Sequence, residues 1–350
     1  MSFNHLARLA LLLALVSILS ACAGQPALIS SQPASEGEAT APLVIYSGRN
    51  ENLVGPLLEQ FSAQTGIAVQ VRYGDTAEMA ATILEEGRNS PADIYFGQDA
   101  GALGALARAG RLAELPAELL AQVDPRFRAD DGRWVGASGR ARVLVYNTDL
   151  VQPEDLPQDI WGLTEPQWRS RIGWTPSNGS FQAFVTALRV LEGDAEARRW
   201  LDGMVANDAK IFGGNSAIVE AVARGEIAAG LVNHYYLYNH LAQKDANAPL
   251  ANYYFPGSGA GALINVAGAG ILDTSRNQAA AQRLIAFLLS QEAQQYFATQ
   301  TNEYPLAGQN IELAPGLLPL SQIATPVIDL GNLEDLQGTL ELLQEVGALN

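Results

Sequence analysis

The stretch LVIYSGRNENLVGPLLEQFSAQTGIAVQVRYG, residues 43–74, reads as a strand, a helix and a second strand. LVIYSG at 43–48 and IAVQVRYG at 67–74 are short apolar runs typical of strands. Between them, Gly66 ends a segment in which apolar residues recur at helical spacing, namely Leu53, Val54, Leu57, Leu58 and Phe61. This alternation predicts an α/β fold.

The same alternation continues along the chain. DTAEMAATILEEG at 75–87 predicts a capped helix that ends at glycine, and ADIYFG at 92–97 predicts a third strand. Further helices are predicted at 177–193, at 216–226 and, as one long helix, from Asn277 to about Gln300.

Two strongly apolar extended runs lie in the middle of the chain, RVLVYN at 142–147 and INVAGAGIL at 264–272. We interpret them as hinge strands between two lobes. The predicted lobes comprise 43–140 plus 265–300 and 141–264 plus 301–350. A cleft between two lobes is a common place for a ligand, and its closure follows from the hinge.

Composition and charge narrow the class of protein. The chain has 350 residues, 48% of them hydrophobic and 17% charged, which suits about two domains. The formal net charge is −16, with the acidic residues spread along the chain. This charge argues against a nucleic-acid partner.

The N-terminus predicts export. Residues 1–21 combine a short basic start with an apolar run from Leu9 to Leu19, as in a secretory signal peptide. The following Cys22 completes a sequence, LSAC, that resembles the bacterial lipobox, and it is the single cysteine of the chain. We predict a lipidated Cys22, a flexible tether at 22–42 and an extracytoplasmic, membrane-anchored protein, either periplasmic or at the cell surface.

Common catalytic motifs are absent from the sequence. It contains no G-x-S-x-G, H-E-x-x-H, C-x-x-C or P-loop pattern, and GSGAGA at 257–262 leads into an apolar strand instead of a helix. His234 and His240 are the candidate bases for a nucleophilic triad, but no nucleophile turn accompanies them. We therefore predict that the protein is not an enzyme.

Features that suit a small anion are better represented. The turn Ser177-Asn178-Gly179-Ser180 stands directly before a helix, where free N–H groups attract anions, although a plain helix cap explains the same residues. YSGRN (46–50) and SGRAR (138–142) each place an arginine, Arg49 and Arg140, after Ser-Gly at a strand end or start, and Arg142 follows two residues later. These arginines are either anion contacts or solvated charges.

The segment LVNHYYLYNH, 231–240, sets Tyr235 beside Tyr236. One interpretation is a strand with one ring buried and the other exposed. The other is a metal site, since phenolate oxygen is a hard, anionic donor suited to a small, highly charged cation such as Fe³⁺. Because a free tyrosine has a pKa of about 10, such a metal must help to remove the protons.

NHYYLYN, 233–239, resembles the N-x-Y-Y-x-Y motif of the ferric-ion-binding proteins that serve bacterial ABC importers. The resemblance spans nearly the whole chain after the tether and includes VIYSGR (44–49), SPADIYF (90–96), SGRARVLVYN (138–147), PQWRSRIGW (166–174), GGNSAIVEAVARGE (213–226), AGILDTSRNQAAAQRLIAFLLS (269–290) and NEYPL (302–306). It implies a two-lobe periplasmic-binding-protein fold of type II, a transferrin-like iron site and an ABC permease as partner.

The resemblance also implies roles for particular residues. Tyr235 and Tyr236 would bind Fe³⁺, the transported ligand. A synergistic anion, carbonate or phosphate, would lie at Asn178, Gly179 and Ser180. Polar contacts would come from Asn215 and Asn233, and arginine contacts from Arg49, Arg140 and Arg142.

Two positions depart from the family pattern. The family's histidine ligand falls at Asn50 and its glutamate ligand at Gln98, and both of these amides are poor donors to Fe³⁺. Asp99 is the nearest carboxylate that could substitute. The alternative that these departures keep open is the same fold binding a small organic or inorganic anion without a metal.

Overall fold

A computed structural model describes residues 41–349 of the chain. The predicted signal peptide, Cys22 and nearly all of the predicted tether lie outside the described residues. Within 41–349, none of the helices has the length and apolar character needed to cross a bilayer.

The described chain alternates strands and helices, so the predicted α/β class is confirmed. The strands are β1 (Leu43–Ser47), β2 (Val69–Tyr73), β3 (Ile94–Gly97), β4 (Val135–Asn147), β5 (Ile172–Trp174), β6 (Lys210–Ile211), β7 (Ala229–Asn233), β8 (Leu250–Tyr253), β9 (Ile264–Ile271) and β10 (Tyr304–Pro305). The helices are α1 (Glu51–Thr65), α2 (Thr76–Glu86), α3 (Ala100–Arg108), α4 (Ala117–Leu120), α5 (Gly179–Glu192), α6 (Asp194–Ala206), α7 (Asn215–Ala223), α8 (Tyr235–Gln243), α9 (Gln278–Leu288), α10 (Gln291–Gln300) and α11 (Leu336–Glu345).

The strands form one mixed sheet in the order β2-β1-β3-β9-β4-β7-β5-β6, with β8 and β10 also paired to β4. At one end β1 lies parallel to β2 and β3, and at the other end β5 lies parallel to β6 and β7. The antiparallel strands β9 and β4 stand between these two parallel groups.

Strand β4 belongs to both halves of the sheet. Its first part pairs with β9 as far as Ala141, and its second part pairs with β7 from Arg142 onward. All thirteen of its residues are buried. The predicted hinge strand at 142–147 is thus the second half of a longer strand that begins at Val135 and crosses between the two halves.

Two hydrophobic cores lie along this sheet. The first core includes Phe61 and Phe96, and it extends beneath α7. The second core is an aromatic cluster in which Phe184 packs edge-on against Trp200, with ring centroids 5.4 Å apart, beside Trp174. The first core therefore fills the half of the sheet with β1 to β3 and continues beneath α7, and the second core packs separately in the half with β5.

The C-terminal segment divides between the cores, unlike the predicted assignment of 301–350 to the second lobe. Tyr304 pairs with Gly139 of β4, and Leu306 and Leu333 pack in the first core. Helix α11 and the residues after it, such as Leu342 and Ala348, pack in the second core. The physical reason is that β10 hydrogen-bonds to the first-core part of β4, which holds the following chain on that side. The remaining lobe limits stay a prediction.

The predicted long helix from Asn277 to Gln300 is two helices, α9 and α10. The break lies at Leu289 and Ser290, where the Ser290 side chain accepts a hydrogen bond from the Ala293 N–H and so caps α10. Ser290 adopts extended backbone angles there, which ends the first helix and starts the next.

Candidate functional site

A cleft of about 630 Å³ is lined by residues from both halves of the sheet. Of the predicted site residues, it brings together Asn50, Gln98, Asp99, Arg140, Asn178, Gly179, Ser180, Asn233, Tyr235 and Tyr236. We call Asn50, Gln98 and Asp99 the amide wall. We call Asn178, Ser180, Asn233, Tyr235 and Tyr236 the tyrosine wall.

Strand ends position both walls. Asn50 and Gln98 follow the carboxyl ends of β1 and β3, and Asn233 is the last residue of β7. The carboxyl ends of parallel strands are the usual ligand-binding edge of α/β sheets. The cleft therefore occupies the edge where polar loop residues from separate strands meet.

Tyr235 and Tyr236 open helix α8, so the interpretation of this pair as strand residues is wrong. Strand β7 ends at Asn233, and the His234 N–H donates to the Ala141 carbonyl, 3.0 Å away, before the chain turns into the helix. The two phenol rings stack at a centroid distance of 4.5 Å and an angle of 27°. A helical turn thus presents two adjacent phenols to one ligand.

The Tyr235 phenol is protonated before a ligand arrives. Burial raises the pKa of Tyr235 well above its ordinary value, and the neighbouring Tyr236 raises it further. The positive charge of Arg140 acts in the other direction. A cation that binds here must displace the phenolic proton, which favours an ion of high charge.

His234 is a structural residue at the crossing of the two halves. Its Nδ1 accepts the Ala141 N–H at 3.1 Å, and its Nε2 lies 2.7 Å from the Asn302 carbonyl, so Nε2 carries the proton. Burial lowers the pKa of His234 to about 4, which keeps the ring neutral at pH 7. With both nitrogens engaged by backbone, His234 is unsuited to act as a general base.

The turn at residues 177–180 caps the N-terminus of α5 and also lines the cleft. The Asn178 Oδ1 accepts hydrogen bonds from the Ser180 N–H at 3.1 Å, from the Ser180 hydroxyl at 2.5 Å and from the Asn215 amide at 3.3 Å. Asn215 lies behind the turn and supports it instead of lining the cleft. Gly179 leaves open space beside the helix end.

Arg49 lies outside the cleft lining, in contrast to the predicted anion contact. Its buried guanidinium forms an ion pair with the Glu303 carboxylate at 2.9 Å and donates to the Gln98 Oε1 at 2.7 Å. The Ser138 hydroxyl also donates to this carboxylate, at 2.6 Å. The charge of Arg49 is therefore balanced within the protein.

Arg140 and Arg142 retain free hydrogen-bonding capacity. The Arg140 guanidinium donates to the backbone carbonyl of Gln98, and the Arg142 guanidinium donates to the backbone carbonyl of Ser180. Among residues 41–349, the Nε of Arg140 and the Nη1 of Arg142 are buried without a hydrogen-bond partner. Burial lowers the pKa of Arg142 to about 10, so it stays charged at neutral pH. These two arginines line a narrow gap beside Ser180, Asn233 and Asn265.

The amide wall supplies little metal-binding chemistry of its own. Asn50 caps α1 and Asp99 caps α3, each through a side-chain oxygen that accepts a backbone N–H. Burial raises the pKa of the Asp99 carboxyl. In the part of the chain that the structure describes, no three His, Cys, Asp or Glu side chains cluster as a metal site.

Sequence reasoning missed three residues that shape the site, Ser138, Asn265 and Glu303. Asn265 lines the cleft, and its position as the polar residue in the apolar run INVAGAGIL was the available signal. Glu303 lies in NEYPL, but nothing in that segment indicates a partner 254 positions away in the sequence.

Comparison with known proteins places these features in a family. Residues 57–310 match the family of bacterial extracellular solute-binding proteins. The chain is a member of this family. This solute-binding protein is 32% identical over 317 residues to the Fe(3+)-binding periplasmic protein of Serratia marcescens, covering 90% of the chain and 93% of the relative.

Solved structures of related proteins agree with the two-lobe fold. The solute-binding protein has a TM-score of 0.80 to iron-bound HitA from Pseudomonas aeruginosa, at 34% identity, with 87% of this chain and 99% of the other covered. It has a TM-score of 0.78 to a Trichodesmium protein in complex with iron and citrate, at 27% identity over 88% and 99% of the chains. The predicted fold class, family resemblance and non-enzymatic nature are confirmed.

Proposed function

We propose that this protein captures ferric iron together with a synergistic anion in the cleft and delivers it to the permease of an ABC importer. The observation that carries the proposal is the stacked pair Tyr235 and Tyr236, which lines a cleft shared by both halves of the sheet. Two phenolates held at one point are suited to a hard, highly charged cation.

The anion would lie between the tyrosine wall and the two arginines with unpartnered nitrogens. The Nε of Arg140 and the Nη1 of Arg142 are donors without partners among the described residues, and α5 begins at the adjacent Gly179. A helix N-terminus and buried guanidinium groups both favour an anion. Carbonate and phosphate are the anions that the family resemblance suggests.

Closure would bring the amide wall onto the bound ion. Strand β4 passes from one half of the sheet to the other at Ala141 and Arg142, which makes it the natural hinge. Only a ligand that contacts both walls shifts the equilibrium toward the closed form.

The N-terminal sequence supports an extracytoplasmic carrier. LSAC at 19–22 suits lipidation of Cys22, and the polar segment that follows suits a tether. A lipid-anchored carrier would stay close to the permease that receives its cargo. Loss of membrane association on Cys22→Ala, in cells that otherwise export the protein, would support the anchor.

A second candidate function is capture of a small anion without a metal. The unpartnered guanidinium nitrogens of Arg140 and Arg142 favour it, since they would bind an anion whether or not iron is present. In this alternative the tyrosines would serve as stacking or hydrogen-bonding walls.

A visible absorption titration tests the proposal. The fragment from Ala23 onward, titrated with ferric citrate plus bicarbonate, is expected to develop a stoichiometric phenolate-to-iron charge-transfer band. Tyr235→Phe and Tyr236→Phe should each weaken or shift the band. Tyr253→Phe is the matched control, because that phenol donates to the Pro157 carbonyl away from the cleft. If no band forms in the wild type, the metal-free anion is the better account.

A further inference from the structure

Three consecutive residues behind the cleft contact the supports of both walls. Asn302, Glu303 and Tyr304 join helix α10 to strand β10, and we call them the NEY segment. The three residues are not part of the cleft lining. Asn302 has a φ of 55°, in the left-handed region that few residues other than glycine adopt. Such a backbone persists where the surrounding contacts hold it.

On one side, the NEY segment holds His234, the residue directly before the tyrosine pair. The His234 Nε2 donates to the Asn302 carbonyl at 2.7 Å, and the ring stacks on Tyr304 at a centroid distance of 4.6 Å. The same ring meets Tyr235 edge-on at 5.7 Å. His234 is fully buried and its Nδ1 accepts the Ala141 N–H, so the ring cannot turn without breaking both hydrogen bonds. The segment therefore fixes the start of α8, where Tyr235 lies.

On the other side, the NEY segment holds Arg49. The Glu303 carboxylate accepts from the Arg49 Nη2 at 3.0 and 2.9 Å, and it also accepts from the Ser138 hydroxyl at 2.6 Å. The Arg49 Nη1 donates in turn to the Gln98 Oε1 at 2.7 Å. Because a guanidinium can only donate, the carbonyl end of the Gln98 amide must face Arg49. Glu303 thus holds Gln98 of the amide wall through Arg49.

The two series of contacts begin at neighbouring residues. One rigid peptide unit joins Asn302 to Glu303, so a displacement of one is passed to the other. The segment itself is anchored to the first half of the sheet, since the Glu303 N–H donates to the Phe297 carbonyl at 2.9 Å and Tyr304 pairs with Gly139 of β4. It reaches the tyrosine wall, which follows β7 of the other half, through His234.

We infer that the NEY segment is a positioning element that sets the tyrosine wall and the amide wall relative to each other, acting through His234 and Arg49. This rests on the proposed capture of iron and assigns residues that shape the iron site without contacting the iron. Side chains of a binding site must be held to within about 0.5 Å by residues that are themselves locked in place. A segment bonded to the supports of both walls gives the two walls a common reference.

Matched substitutions at two histidines test the contact with the tyrosine wall. His234→Asn keeps an oxygen that can accept the Ala141 N–H, but its side chain is too short to reach the Asn302 carbonyl. His234→Gln is longer and keeps an NH₂ group that can donate to that carbonyl. The control is His240→Asn, which makes the same change at a partly buried histidine of the same helix, outside the cleft lining.

The readouts are the iron affinity of the fragment from Ala23 onward, measured by competition with a chelator, and its phenolate-to-iron charge-transfer band. His234→Asn should lower the affinity at least about tenfold and shift the band, as loss of a residue that orients a metal ligand does. His234→Gln should recover much of the affinity, and His240→Asn should change it less than about twofold. A His234→Asn variant that is less stable to heat but has the wild-type affinity and band would overturn the inference, and so would equal losses for His234→Asn and His234→Gln.

Glu303→Asp tests the contact with the amide wall. The substitution keeps the negative charge but shortens the side chain by one methylene, which draws the carboxylate away from Arg49. We expect it to lower the iron affinity about tenfold. Glu86→Asp is the matched control, because that carboxylate accepts from the hydroxyls of a tyrosine and a serine outside the cleft lining, and it should change the affinity less than about twofold. Equal affinities of the Glu303→Asp and Glu86→Asp variants would contradict the assigned role.

The double variant, His234→Asn with Glu303→Asp, tests whether one segment serves both walls. If it does, the first substitution already disturbs the positions that the second would change. The combined loss of affinity should then be smaller than the product of the two single losses, by at least about threefold. A combined loss equal to that product would show two independent supports and overturn the inference. Absence of the band in the wild-type protein would instead overturn the proposed function, whereas a wild-type band with unaffected variants would overturn the positioning role alone.

Discussion

The tyrosine wall and the amide wall face one cleft, yet they offer a ligand different atoms. On the tyrosine wall, two stacked phenols can lose protons and become anionic oxygen donors. On the amide wall, Asn50 and Gln98 have used their oxygens to cap a helix and to bind Arg49. The difference teaches that a residue's chemistry at a site is set by which of its atoms the fold has already engaged.

The largest expected effect on stability comes from removing the Arg49 guanidinium, which binds Gln98 of the amide wall. Arg49→Met leaves the buried Glu303 carboxylate without its ion-pair partner, and such a loss lowers the free energy of unfolding by about 3–5 kcal/mol. Urea denaturation measures the change. Arg126→Met is the control, because its exposed pair with Asp124 should contribute no more than about 1 kcal/mol. Similar losses from both substitutions would show that the Arg49 pair is not buried as described.

A smaller effect is the pH dependence of iron affinity, which follows from the phenolic protons of Tyr235 and Tyr236. Iron can bind only to deprotonated phenols, and burial raises the pKa of Tyr235, so the affinity for iron should fall as the pH is lowered through neutrality. The expected slope is about tenfold per pH unit for each phenolic proton released. Titrations between pH 8 and pH 6, with the change in free chelator measured separately, give this slope. An affinity that does not depend on pH would argue against phenolate ligation.

The smallest effect compares the helix caps of the two walls. Asn178 accepts hydrogen bonds from Ser180 and Asn215, whereas the exposed Asn50 accepts one from Asn52. Asn178→Ala should therefore cost about 1–2 kcal/mol of stability and Asn50→Ala about 0.5–1 kcal/mol. Thermal unfolding of the two variants tests the ranking, and a larger loss for Asn50→Ala would reverse it.

Much of the fold could be predicted from local sequence patterns. The helical spacing of apolar residues and the glycine at its end, Gly66, predicted α1, and the apolar run INVAGAGIL predicted β9. Both signals come from residues that are close in sequence. The helix at Tyr235 was harder, since tyrosine favours strands and the turn depends on contacts of His234 with distant backbone.

The composition of the site was predictable, but its hydrogen bonding was not. The family resemblance identified several polar residues that line the cleft, including Tyr235, Tyr236 and Asn178. The sequence could not indicate that Arg49 is paired with Glu303, because that contact joins residues far apart in the chain. The orientation of the Gln98 amide follows from the same long-range pair, and so it required the structure.

Anomalous X-ray scattering at the iron absorption edge tests the central claim most directly. A crystal of the fragment from Ala23 onward, grown with ferric iron and citrate, should show one iron peak within coordination distance of both phenolic oxygens of Tyr235 and Tyr236. Electron density for the synergistic anion should lie beside Arg140 and Arg142. An iron peak away from the tyrosines, or a closed cleft that contains an anion without iron, would contradict the account.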